Sequence, residues 1–352
     1  MTPQDSHSAT SGKPAAAQPA RLTLVHGGPD YFERLQSLIA SAERELHLQT
    51  FIFDDDATGR AVVEALKAAA QRGVRVFVLL DAYGSGSLPH ATIAAMEAAG
   101  VQVRLFGPWL SWNSLHLGRR LHHKVVVADG HVSLIGGINI ADKYHGTPTE
   151  RAWLDYAVRI DSPAIGGKLA NLCKMHYLKR NPFRRKRMAA SLEGEGDSVT
   201  VLLNDWLLKK NEIYRAYRKA IAHAKEEVII VGTYFLPGRR LTIALQKAAR
   251  RGAAVKLILS GTSDVPVLRR ATNYLYDKLL RDGLILYEWP HSVLHGKAAV
   301  VDHHWTTIGS FNLNQLSVYG SIEMNVAAES PAFAAEATAA FEDVISQCPR
   351  IT

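Results

Sequence analysis

HHKVVVADGHVSLIGGIN, residues 122–139, and HGKAAVVDHHWTTIGSFN, residues 295–312, follow one pattern: His-x-Lys-x4-Asp-x6-Gly-(Gly/Ser)-x-Asn. One chance match to it in a chain of this length has odds on the order of 10⁻⁴, and two at matching points of a repeat are rarer still. Alternate residues of a strand share a face, so His122 and Lys124 project together, as do His295 and Lys297. The apolar residues Val125–Ala128 and Ala298–Val301 read as buried strands that end at Asp129 and Asp302. Gly136-Gly137 and Gly309-Ser310 leave room for a phosphate beside backbone amides, and Asn139 and Asn312 add side-chain donors.

Working outward, each motif ends one copy of an internal repeat. The first copy places a helix over Tyr31–Glu45, a strand over 46–53, a helix over Arg60–Gln71 and a strand over 74–81. The second places a helix over Glu212–Lys225, a strand over 228–235, a helix over Arg240–Arg250 and a strand over 254–260. Arg72-Gly73 and Arg251-Gly252 supply glycine where a helix end needs a left-handed backbone. Val101–Leu105 and Leu284–Tyr287 are the corresponding short strands. This alternation predicts an α/β fold of two similar halves.

The 352 residues suit two units of ordinary domain size. Residues 1–20, rich in Ala, Ser, Pro and Gln, read as a disordered tail with no apolar signal segment. The stretch 178–198, first basic and then rich in Gly, Ser and acids, reads as a surface linker. The halves are therefore expected at 21–190 and 191–352. No apolar run approaches the ~18 residues of a membrane span, so membrane contact is expected to be peripheral.

A net charge of +8 points to a polyanionic partner, either nucleic acid or an acidic lipid surface. Two cysteines, Cys173 and Cys348, make neither a disulfide framework nor a zinc site. His123, His131, His303 and His304 lack the spacing to lysine and read as surface histidines, and no metal is expected. Arg119-Arg120 reads equally as a headgroup contact or a solvated loop end. Trp109 and Trp112 fit a membrane interface or a packed loop, and the run Lys179–Arg187 reads as attracted to anionic lipid.

Two histidines, two lysines and two asparagines around one phosphodiester can stabilise a phosphorane without a metal. One imidazole would attack phosphorus while the other handles the proton of the alcohol.

The double motif resembles the signature of the phospholipase D superfamily. FIFDDDATGR (51–60), RGVRVFVLLDAYGS (72–85), YFLPGRRL (234–241) and GSFNLNQLS (309–317) are similar to bacterial cardiolipin synthases, with likeness from about residue 21 onward. The resemblance implies two α-β-α sandwich half-domains about a pseudo-twofold axis, and a phosphatidyl group passed between phosphatidylglycerol molecules through a phosphohistidine. The alternatives it leaves are a phospholipase D hydrolase or a nuclease with the same motif.

Residue by residue, the resemblance makes the motif residues His122, Lys124, Asp129, His295, Lys297 and Asp302 the catalytic set, with both aspartates structural or histidine-supporting. Asn139, Asn312, Gly137 and Ser310 bind phosphate, and Asp155 and Glu323 support the histidines across the axis. It implies no cofactor, no nucleic acid and no obligate protein partner, and a place on the cytoplasmic face of an anionic phospholipid membrane. The chain departs from the family at Asn314, Leu316 and Ser321, where aspartate, arginine and asparagine are common.

Overall fold

A computed structural model of the chain describes residues 19–107, 119–179, 188–192, 194, 196–205 and 210–352. Residues 1–18 of the tail, the Trp109–Trp112 loop and the basic run from 180 to 187 lie outside the described residues.

The first half runs β1 (Arg21–His26), α1 (Pro29–Ser41), β2 (Glu45–Thr50), α2 (Ala57–Gln71), β3 (Arg75–Asp81), α3 (His90–Ala98) and β4 (Gln102–Phe106). It continues through β5 (Arg120–Leu121), β6 (Lys124–Ala128), β7 (Val132–Gly136), α4 (Asp142–His145), β8 (Tyr156–Asp161) and α5 (Pro163–Tyr177). The second half runs β9 (Met188–Ser191), β10 (Ser198–Asp205), β11 (Lys210–Asn211), α6 (Glu212–His223), β12 (Glu227–Gly232), α7 (Arg239–Arg250), β13 (Ala254–Thr262) and α8 (Pro266–Tyr274). It closes with α9 (Tyr276–Arg281), β14 (Ile285–Val293), β15 (Lys297–Val301), β16 (Trp305–Gly309), α10 (Gln315–Tyr319), β17 (Ser321–Glu329), α11 (Pro331–Ser346) and β18 (Arg350–Ile351).

The repeat becomes two sheets of matching order, β1-β8-β7-β6-β2-β3-β4 and β10-β17-β16-β15-β12-β13-β14. In each, two strands parallel to the first (β2-β3-β4, β12-β13-β14) meet an antiparallel motif hairpin (β6-β7, β15-β16). Gly73 and Gly252 take φ of 91° and 99°, so both helix ends turn through a conformation that only glycine adopts freely.

Period-two alternation assigns the two sides of each sheet. Val126 and Ala128 of β6 face α1 and α2 of their own half, whereas Val125 and Val127 face the core between the halves. That central core gathers Val231, Ala298 and Val300 of the second sheet together with α5 and α11. Both of these helices begin Ser-Pro, and the hydroxyls of Ser162 and Ser330 cap them by accepting the N–H of Ile165 and Phe333. A strand buried on both sides is apolar without interruption, which is why KVVVA and KAAVV read as they do.

Three readings are corrected. Residues 188–191 of the expected surface linker form β9, which pairs with β10 and buries Met188. Ala20, at the end of the expected tail, is also buried and bridges to Leu192. Exposed polar composition nearby masked both contacts. His123 is no surface histidine. As the residue between His122 and Lys124 it faces the opposite side of its strand, where its ring stacks on His176 and bonds Gln49 Oε1 at 2.9 Å. We propose the boundary of the halves near residue 190, with β9 belonging to the second sheet.

Candidate active site

The two motif histidines stand just ahead of β6 and β15, at the ends where the parallel strands β2, β3, β12 and β13 finish. Each histidine segment runs beside the acid-bearing strand of the other half. The His122 N–H donates to Ile322 O at 3.0 Å, and β5 pairs in parallel with the start of β17. The His295 N–H donates to Leu154 O at 2.7 Å in the equivalent bridge.

This crossing brings each imidazole to a buried carboxylate. Nδ1 of His122 lies 2.9 Å from Glu323 Oε2, and Nδ1 of His295 lies 2.6 Å from Asp155 Oδ2. With each Nδ1 engaged, each Nε2 is left for chemistry. Lys124 donates to His122 O at 2.6 Å and Lys297 to His295 O, so both ammonium groups sit under the histidines.

The two pairs are not electrically equal. Burial works against the Glu323 carboxylate, yet His122, Lys124 and the Ser310 hydroxyl together hold it below the ordinary glutamate value. Ser310 donates to Glu323 Oε2 at 2.5 Å and Ser321 to Oε1 at 2.8 Å. Asp155 is as buried, but among the described residues its carboxylate has just the Tyr156 N–H, at 2.7 Å, besides His295, and burial pushes it up to about 7 against Lys297. Gly137 occupies the position of Ser310 in the first half, and a Cβ there would sit 2.4 Å from Asp155 Oδ1. The difference between Gly-Gly and Gly-Ser therefore gives one acid a hydroxyl donor and denies it to the other.

Burial lowers both histidines, His122 against the pull of Glu323, and His295 further because Lys297, Lys124 and His122 add to it. The same burial brings Lys124 down to about 7 and Lys297 to about 8. The mutual electrostatic influence of these groups marks one shared cluster.

Asn312, two residues beyond Ser310, is buried, and its Oδ1 has no hydrogen-bond partner among the described residues. Asn139 is largely committed within the protein: its Oδ1 accepts the Ile52 N–H at 3.0 Å and its Nδ2 donates to Tyr144 OH at 2.7 Å. Tyr144 in turn packs edge-on against His295. Asp129 and Asp302 do not join the cluster. Each lies at the far end of its motif strand, about 16 Å away at ~3.3 Å per residue, and there accepts three successive N–H groups, of Glu43–Glu45 and of Lys225–Glu227. Their φ of 53° and 49° shows that they turn the chain into the hairpin.

Arg119 corrects both sequence readings. It is buried and paired with Asp205, and neither solvated nor available to a headgroup.

Sequence reasoning missed a pair of residues that hold the histidine segments. Asp81, at the end of β3, accepts the Leu121 N–H at 2.8 Å, and Ser260 in β13 accepts the Leu294 N–H at 2.9 Å. Leu121 and Leu294 each immediately precede a motif histidine. The available signal was a polar residue closing an apolar strand in both copies, in VFVLLD and VKLILS. Asp81→Ala is expected to lower kcat on a soluble phosphodiester by roughly 10- to 100-fold with KM little changed, and Asp81→Ser to recover most of it. Full turnover by the alanine variant would show that this bond does not position His122.

Comparison with known proteins adds to this geometry. The family model for the cardiolipin synthase, PLD-like domain matches residues 35–174 and 217–345, most of both halves. The chain belongs to the phospholipase D-like cardiolipin synthase family. Membership makes it a phospholipase D-type phosphatidyltransferase. Its relatives include cardiolipin synthase B of Escherichia coli K12, 37% identical over 87% of this chain and 76% of that protein. The minor cardiolipin synthase ClsB of Bacillus subtilis is 29% identical over 94% of the chain and 83% of its own length. The fold matches the crystal structure of phosphatidylserine synthase from Haemophilus influenzae with a TM-score of 0.75 at 14% identity, covering 94% of this chain and 87% of that one. No helix among the described residues of this family member is long and apolar enough to cross a membrane.

Proposed function

We propose that the chain transfers a phosphatidyl group from one phosphatidylglycerol to a glycerol hydroxyl of another, releasing glycerol and forming cardiolipin. The observation that carries this reading is the crossed pair of imidazoles, each fixed at Nδ1 by an acid of the opposite half, with two lysines beneath them.

His122, backed by an ionised Glu323, is the nucleophile. Its neutral Nε2 attacks phosphorus, and the bond from phosphorus to the leaving glycerol oxygen breaks. The departing oxygen takes the proton of His295 Nε2. The Asp155–His295 pair suits this role, because an acid pushed up to about 7 lets the pair keep an extra proton near neutral pH. The incoming hydroxyl then returns its proton to His295 as it attacks phosphorus and breaks the N–P bond. Lys124, Lys297 and Asn312 bind the phosphoryl oxygens, Asn139 aids through the Tyr144 wall of the site, and Gly137 and Ser310 shape the two acids. Asp129 and Asp302 act structurally. The net charge of +8 suits a polyanionic partner, and the likeness to cardiolipin synthases favours the cytoplasmic surface of an anionic membrane, reached peripherally, over nucleic acid.

The lipid profile of cells overexpressing the chain tests this directly. Cardiolipin should rise at the expense of phosphatidylglycerol, and a His122→Ala version should leave both unchanged. Accumulation of phosphatidic acid without cardiolipin would favour the hydrolase instead.

The pH profile provides a second check. As pH rises through about 7 to 8, Lys124, Lys297 and the Asp155–His295 pair lose protons that binding and leaving-group protonation require. On the acid side His122, pulled below the ordinary histidine value by burial, stays a neutral nucleophile below that value. We expect kcat/KM in detergent micelles to fall at least ~10-fold per pH unit on the alkaline side, and more steeply where several of these groups titrate together. A flat profile to about pH 10 would contradict the assignment.

A further inference from the structure

We infer that α8 is the face by which this enzyme sits on the bilayer, its outer stripe entering the lipid headgroup region beside the site. The inference rests on the phosphatidyltransferase reading above, and it names the surface that brings the site to its substrate.

The position of α8 comes first. β13 ends at the site, where Ser260 holds the residue before His295, and the chain reaches α8 within a few residues. Between them Asp264 accepts a hydrogen bond from Tyr234, and its charge is felt by His295 and Lys297. The helix therefore starts at the rim of the site.

Its faces differ sharply. On the inner side Thr272 is buried, and Arg269 is held by Glu288 at 2.5 Å and by Tyr276 OH at 3.0 Å, which pins the helix to the second half. On the outer side Val267, Arg270 and Tyr274, at i, i+3 and i+7, form one exposed stripe. Val267 is 73% exposed and Tyr274 88%, and Val265 just ahead of the helix is exposed as well. Seven large apolar side chains are exposed among the described residues, and three of them fall in Val265–Tyr274, a concentration unlike the single scattered ones normal on protein surfaces.

The opposite rim repeats the character. Tyr319 is 66% exposed, and the next residue, Gly320, accepts the N–H of Arg120, two residues before His122. Exposed Arg239 and Arg240 begin α7, directly after the loop that carries Tyr234.

A stripe of valine and tyrosine carrying arginine, with further arginines near it, matches an anionic lipid surface in both of its layers. Tyrosine and the aliphatic groups suit the boundary between headgroup and acyl chain, and the arginines suit the phosphates. A diacyl phospholipid must also leave its bilayer partly to reach the buried His295 and the part-buried His122, so the rim of the cleft is where a bilayer contact shortens that path.

The test compares the full chain with a Val267→Ser/Tyr274→Ser double variant and with Arg270→Gln. Binding is read by co-sedimentation with vesicles of phosphatidylglycerol and phosphatidylethanolamine, and with vesicles of phosphatidylcholine alone. Turnover is read on the same anionic vesicles and on short-chain phosphatidylglycerol below its micelle concentration. The double variant should lose ~10-fold or more in vesicle binding and vesicle turnover, while monomeric turnover, which also reports an intact fold, stays unchanged. Arg270→Gln should weaken binding to the anionic vesicles alone.

Unchanged vesicle binding by the double variant overturns the inference. So does a change of oligomeric state in the double variant, which would make the stripe a protein interface. Failure of the unmodified chain to turn over either substrate would instead defeat the phosphatidyltransferase reading, and the binding comparison would still decide the role of α8.

Discussion

His122→Ala and His295→Ala are each expected to reduce phosphatidyl transfer by at least ~10⁴-fold, because one removes the atom that bonds phosphorus and the other the proton donor for the leaving oxygen. The two variants should nevertheless differ in stability. Removing His122 leaves Glu323 with two hydroxyl donors, Ser310 and Ser321. Removing His295 leaves Asp155 Oδ2, fully buried, without its bonded partner, which costs about 1–3 kcal/mol. Urea denaturation should therefore place the midpoint of His295→Ala below that of His122→Ala. His295→Asn, which keeps a donor near Asp155, should regain part of that stability and none of the activity. Near-normal transfer by either alanine variant would mean that the two motifs do not build one site.

A covalent label should appear on the peptide that contains His122. The expectation follows from the unequal acids: an ionised Glu323 holds His122 at Nδ1 and leaves Nε2 free to attack, while burial keeps that ring neutral, and Asp155, pushed up to about 7, favours a protonated partner pair. A p-nitrophenyl phosphodiester offers the sharpest experiment, because its leaving group departs without protonation and the first step no longer needs His295. In His295→Ala the phosphohistidine should then form and accumulate, since no base remains to deprotonate the acceptor. Quenching in alkaline denaturant, where the phosphorus–nitrogen bond survives, followed by digestion and peptide mapping at alkaline pH, should find close to one label per chain on the His122 peptide, and almost none in His122→Ala. Label confined to the His295 peptide would exchange the two roles and leave the transfer itself standing.

The repeat, the strand-borne motifs and the α/β layering were legible in the chain because they depend on local periodicity. VVV and AAV between lysine and aspartate report a strand buried on both sides wherever it lies, and Arg-Gly at a helix end reports a left-handed turn without reference to any other segment. Resemblance placed Asp155 and Glu323 near the histidines, but the bonds join residues 140 and 201 positions apart, and only the docking of the two sheets makes them. The same docking decided what composition misjudged. Arg119 is buried because Asp205 of the other half meets it, and β9 is a strand because β10 offers it an edge. It also decided the asymmetry of the site. Gly137 and Ser310 differ by a hydroxymethyl group in the sequence, but the carboxylate that each side chain would meet comes from a different strand. A sequence fixes which face a residue takes on its own element, and the electrostatics of a buried site are set by what the other elements bring against that face.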